Sequence, residues 1–130
     1  MKQRGFTTIE LLVVLVVLCT GAWLFFSQKA SIDASARDSE RKVAINAMYY
    51  SLEEDFYEKN GFYPSTIDSK ILRSIDPALF TDPRGHKPGE GAAEYHYAPI
   101  DCSLEGRCKA YRLYADMERE AEYSKDSRQK

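Results

Sequence analysis

An α+β fold, in which one long N-terminal α-helix packs on a small antiparallel β-sheet, is predicted by three features of this 130-residue chain. From Phe6 to Phe26 the only acidic or basic side chain is Glu10, and from Ser27 to Asn60 there is neither proline nor glycine. Two tyrosine-rich stretches, Glu94 to Ile100 and Lys109 to Met117, then alternate partially with period two on either side of a short turn. The length suits one small domain plus an anchoring segment. Hydrophobic residues at 44% and charged residues at 29% are ordinary averages, but the apolar content is concentrated near the start and the charges lie beyond it.

As a helix, Phe6 to Phe26 rises roughly 31 Å, about the thickness of a bilayer's hydrocarbon core. Lys2 and Arg4 before it favour a cytoplasmic N-terminus and a chain that faces outward beyond the span. "LFFSQKA" offers no small-residue site for a secretory signal peptidase, and Leu18 ahead of Cys19 is a poor lipoprotein signal. A plain anchor leaves Glu10 unexplained, because a carboxylate deep in the membrane costs on the order of 3 kcal/mol. Beyond the span, "SQKASIDASARDSERK" continues in polar helix formers. An apolar stripe then appears at Ile45, Met48, Tyr49, Leu52 and Phe56 with spacings of three and four, the mark of a core-facing helix side.

"NGFYP", Asn60 to Pro64, supplies an Asn-Gly helix end and a proline that cannot continue it. The loop that follows holds an expected short helix near Ser69 to Ile75, and "DPALFTDPRGHKPGEG" reads as turns. The two tyrosine-rich stretches form an expected hairpin, with Cys102 and Cys108 at opposite ends of "DCSLEGRC". In an outward-facing domain a disulfide is the expected state, contributing roughly 2.4 kcal/mol for so short a loop. The rival readings are a metal pair or a redox pair, but two thiols with only His86 and His96 as further soft ligands fall short of a zinc site, and no C-x-x-C is present. Cys19 reads as a small apolar residue of the span. The tail "EREAEYSKDSRQK" is charged, without apolar anchors, and is expected to stay flexible.

Chemistry lacks parts. Setting Glu10, Lys2 and Arg4 aside leaves 19 acidic against 16 basic residues, so no basic stripe suited to nucleic acid emerges. His86 and His96 have no nucleophile in a recognisable arrangement, and "RGHKPGEG" lacks the spacing of a phosphate loop. Asp82, Glu90, Glu94 and Asp101 could offer oxygen ligands to calcium, but nothing fixes their spacing and they read as solvated loop acids. Tyr95, Tyr97, Tyr111 and Tyr114 are expected to face or cover a helix rather than stack on a ligand. Neither catalysis nor a cofactor or metal is expected.

"RGFTTIELLVVLVVL", Arg4 to Leu18, resembles the class III signal and helix start of the type IV pilin superfamily, which includes the pseudopilins of type II secretion. The resemblance implies cleavage by a prepilin peptidase between Gly5 and Phe6, methylation of Phe6 to N-methylphenylalanine, and a role for Glu10 in assembly. A buried acid is tolerated when paired, and the α-ammonium of a neighbouring copy's Phe6 would pair it. The implied fold is type IV pilin-like. It divides the chain into a leader (1–5), a transmembrane and filament-core helix (6–26), a continuation that packs on the head (27–60), a globular head with loop and hairpin (61–117) and the tail (118–130). "YP" at Tyr63 and Pro64 and "DPRG" at Asp82 to Gly85 extend the likeness; the latter resembles the "DPWG" of major pseudopilins with Arg84 in place of tryptophan. Position 27 is Ser, not the kinking proline of many major pilins, and "ADMERE" stands where major pseudopilins carry a Gly- and Asp-rich calcium loop. The implied partners are copies of itself or related pilins in a helical filament, the peptidase, a membrane assembly platform driven by a cytoplasmic ATPase, and membrane lipid. The implied location is a single-pass membrane protein before assembly and a cell-surface filament after it. The alternative is a membrane-anchored extracytoplasmic binding module, a sensor or adhesin, that never polymerises.

Overall fold

A computed structural model describes residues 5–129, so the expected leader, apart from Gly5, lies outside the described residues. The chain divides into two compact units, Met1–Ala34 and Ser35–Lys130. Helix α1 runs from Thr8 to Tyr50, continues as a π-helical stretch, Ser51–Tyr57, and ends in three α-helical residues, Glu58–Asn60. Gly61 closes it in the left-handed region at φ 73°, donating its N–H to the Tyr57 carbonyl at 2.7 Å.

In the second unit, the helix buries Ala44, Ile45, Met48 and Leu52 against the sheet. The π-helical stretch buries three successive residues, Ser51, Leu52 and Glu53. An α-helix turns successive side chains about 100° apart, so a widened turn is what lets all three face inward.

The sheet is antiparallel with four strands: β1 (Tyr63–Pro64), β2 (Tyr95–Cys102), β3 (Arg107–Ala115) and β4 (Tyr123–Asp126). β3 is central, flanked along its length by β2, while β1 and β4 share its other edge at opposite ends. Tyr111, Leu113 and Ala115 of β3 enter the core while Arg112 is exposed, which is the alternation expected of a half-buried strand. The core also takes Tyr63, Tyr95, Ile67, Leu72 and Phe80, so tyrosine occupies places that leucine often fills. Each buried phenol needs a partner. Tyr63 and Tyr111 both donate to the carboxylate of Glu53, each at 2.9 Å. Burial first, and Glu53 with it, raises both phenols above the ordinary tyrosine range.

Two expectations need correcting. The short helix lies at Pro77–Phe80 as a 3₁₀ turn rather than at Ser69 to Ile75. Asp76 caps it by accepting the Ala78 N–H and Pro77 begins it, whereas Asp68 spends its side chain on the N–H groups of Lys70 and Ile71 in turns. The segment from Glu118 is not a flexible tail over its described length. Tyr123–Asp126 pair with β3, and Ser127 is buried with its Oγ accepting the Tyr111 N–H at 3.2 Å. Polar pairing to the helix and sheet holds it, and composition alone does not reveal such pairing.

The β2–β3 hairpin matches its expected position, with Cys102 opposite Cys108 and the two joined by a disulfide. Its turn places Gly106 at φ 74°, and a Cβ there would meet Ser65 Oγ at 3.1 Å. The closed loop is short, so replacing both cysteines with Cys102→Ser and Cys108→Ser is expected to lower unfolding free energy by about 2 kcal/mol in denaturant titration, with the core unchanged.

Candidate assembly site, and the ionic cluster of the second unit

The helix is long and apolar enough near its start to cross a membrane. Every large side chain of its apolar run is exposed, from Val14 at 46% to Trp23 at 77%. The Thr20 hydroxyl is satisfied within the helix, donating to the carbonyls of Val16 and Val17 at 3.0 Å. Such a surface is costly to leave in water. Cys19 is a free, exposed thiol on this run.

At the start of α1 the sequence places an N-cap. Thr7 is the cap: its carbonyl accepts the Leu11 N–H at 3.1 Å, and its Oγ1 accepts the Glu10 N–H at 3.4 Å. Glu10 is therefore the third helical residue, where the helix dipole favours a carboxylate. This role was legible in "TTIE" as S/T-x-x-E, a signal masked by reading the whole stretch as membrane span. Gly5, Phe6, Thr7 and Glu10 border one open recess, so three of the expected site residues lie together. Phe6 is 78% exposed and Glu10 is exposed. The cap starts the helix directly after Phe6 and holds an acid one turn above it.

The acids weighed for calcium have other uses, and no group of three or more His, Cys, Asp or Glu suited to a metal occurs among the described residues. Asp82 is buried and accepts the N–H groups of Arg84, His86 and Glu94 at 2.9 to 3.0 Å. Burial alone would raise its pKa, but these donors outweigh it and hold the carboxyl below the ordinary range. Glu90 caps the next turn by accepting the Lys87 N–H. Asp101 is exposed with φ 52° at the hairpin. Glu94 is not a solvated loop acid: it is buried and pairs with Arg41 at 2.6 Å and Arg84 at 3.1 Å.

Sequence reading did not single out Arg41. Its guanidinium is fully buried and meets carboxylates from three segments: Asp38 on α1 at 2.7 Å, Glu94 before β2 at 2.6 Å and Glu118 after β3 at 2.8 Å. Glu118 also pairs with Arg37 at 2.6 Å, and Asp38 accepts the N–H groups of Glu118 and Arg119 at 2.9 Å. Arg37 first, then Arg41, depress the Glu118 carboxyl to about 2. For Asp38, burial pushes upward but the two backbone donors and Arg41 prevail, so its pKa is lowered. The signal for this cluster was an arginine one turn before the apolar stripe and in line with it, but partners more than fifty residues away carry no local pattern.

His96 stacks on Tyr114 with ring centroids 4.7 Å apart, and its Nε2 lies 3.0 Å from Asp116 Oδ2. His86 approaches Asp82 at 3.6 Å, and neither histidine has a nucleophile within these contacts. Tyr95 and Tyr111 face the core as expected, Tyr97 donates to the Pro64 carbonyl at 2.7 Å, and Tyr114 lies half-buried beside His96.

Two outcomes follow from the Arg41 cluster. Arg41→Ala strands buried carboxylates and is expected to cost ~3–5 kcal/mol in urea denaturation. Because the folded carboxyls of Glu118, Asp38 and Asp82 titrate below their unfolded values, their stabilisation is complete above about pH 4.5 and falls away as pH drops toward 2. Glu118→Gln is expected to flatten the pH dependence of unfolding in that window.

No protein-family model, curated protein or solved structure matches this chain.

Proposed function

We propose that the chain is a structural subunit of a type IV pilus or pseudopilus-like filament, cut between Gly5 and Phe6, methylated on Phe6, and polymerised through α1. The observation that carries this reading is the pairing of an exposed apolar run at the start of α1 with an acid, Glu10, one turn from Phe6. Cutting before Phe6 would create an α-ammonium beside the capped start of the helix. In a filament that group can neutralise Glu10 of a neighbouring copy and set the register between otherwise featureless apolar helices. The apolar run then serves two environments in turn, lipid before extraction and like helices afterwards. On this reading the N-terminus is cytoplasmic before assembly and the head lies outside the membrane. A prepilin peptidase and an ATP-driven assembly platform act on the chain, and the chain itself performs no catalysis.

A second reading is a membrane-anchored binding module that does not polymerise. An open cavity of about 430 Å³ in the head favours it, floored by Ile67 and Phe80 and bordered by Lys70 and Lys87.

Mass spectrometry of the mature protein separates the two. The filament reading expects a chain beginning at methylated Phe6, and an N-terminus at Met1 or beyond Ser27 overturns it. Glu10→Gln is expected to leave membrane insertion and cleavage intact while sharply reducing filaments seen by electron microscopy; undiminished filament yield removes the pairing role.

A further inference from the structure

We propose that the segment from Asp116 to Gln129 is a latch: the part of α1 within the head docks on the sheet only when this segment is in place. Three charged side chains of α1 and its π-helical continuation are buried: Asp38, Arg41 and Glu53. Each draws part of its pairing from beyond β3. Asp38 accepts the backbone N–H groups of Glu118 and Arg119, Arg41 donates to the Glu118 carboxylate, and Glu53 accepts the backbone N–H of Arg128 at 3.1 Å. These contacts lie along the helix from residue 38 to residue 53. They are flanked by exposed ion pairs that join the same two segments.

What remains without the latch is incomplete. Asp38 keeps only Arg41, and Arg41 keeps Asp38 and Glu94. Glu53 keeps Tyr63 and Tyr111. An apolar stripe alone could dock early, but docking this helix also removes a guanidinium and two carboxylates from water. Such groups are tolerated inside only when their hydrogen bonds are filled. Water can fill them while the helix is undocked, and the latch fills them when it is docked. Residues beyond β3 therefore decide when the head closes, and a chain clipped after β3 keeps its helix open. The β2–β3 hairpin is independent of this step, because its pairing and its disulfide are complete by Ala115.

The test uses the full chain and a chain ending at Met117, both in detergent micelles, with hydrogen exchange read by mass spectrometry over residues 38–52. Thiol labelling reports on the hairpin. The shortened chain is expected to exchange at least severalfold faster over 38–52 while Cys102 and Cys108 stay unreactive. A synthetic peptide of residues 118–130 added in trans should restore protection, and the same peptide carrying Glu118→Ala should restore much less. Protection in the shortened chain equal to that of the full chain overturns the latch. So does a failure of the unmodified peptide to restore protection, whether or not the hairpin survives truncation.

Discussion

The head depends on one constraint: a guanidinium with no exposure to water must be matched where it sits. Arg41 is placed inside by the same helical spacing that buries Ala44, Ile45 and Met48, so docking the apolar stripe also docks the charge. Its partners come from α1, the segment before β2 and the segment after β3. Their meeting fixes the order of these pieces around the helix. Isolated buried ion pairs are weak sources of net stability, since desolvation offsets attraction, but they are selective: a misplaced register leaves a charge without a partner. The apolar core supplies attraction without direction, and the arginine supplies direction.

Glu53 repeats this logic at the far end of the helix. A core built from tyrosines buries large rings but carries a hydroxyl on each, and two of those hydroxyls converge on a single carboxylate. The π-helical stretch turns that carboxylate inward. The two buried polar sites lie more than three turns apart on the helix, and the C-terminal segment reaches both. This explains why a stretch as charged as "EREAEYSKDSRQK" is ordered over its described part. Its charges and backbone donors are used to satisfy groups that the helix carries inward, rather than to remain in water.

The first unit presents a different surface. Its large apolar side chains are exposed, while the Thr20 hydroxyl is satisfied by the carbonyls of the preceding turn and the Glu10 N–H by the Thr7 cap. Between Phe6 and Phe26 the acid of Glu10 is the only charged side chain, one turn from Phe6.

The sequence by itself determined the long helix, its end at Asn-Gly, the hairpin with its cysteines face to face, and the tyrosines that line the core. Each rests on a local rule: spacing of three and four, alternation of two, or a residue type suited to a turn. Tertiary structure alone decided the rest. Glu94 reads as a loop acid until Arg41 is beside it, the tail reads as solvated until β3 offers an edge, and the short helix moved because Asp76 and Pro77 outcompete Asp68 as a start. Charge pairing and strand edges act between residues far apart in the chain, so their outcome depends on which surfaces folding brings together. Hydrophobic period and turn chemistry act within a few residues, and the amino-acid order already contains them.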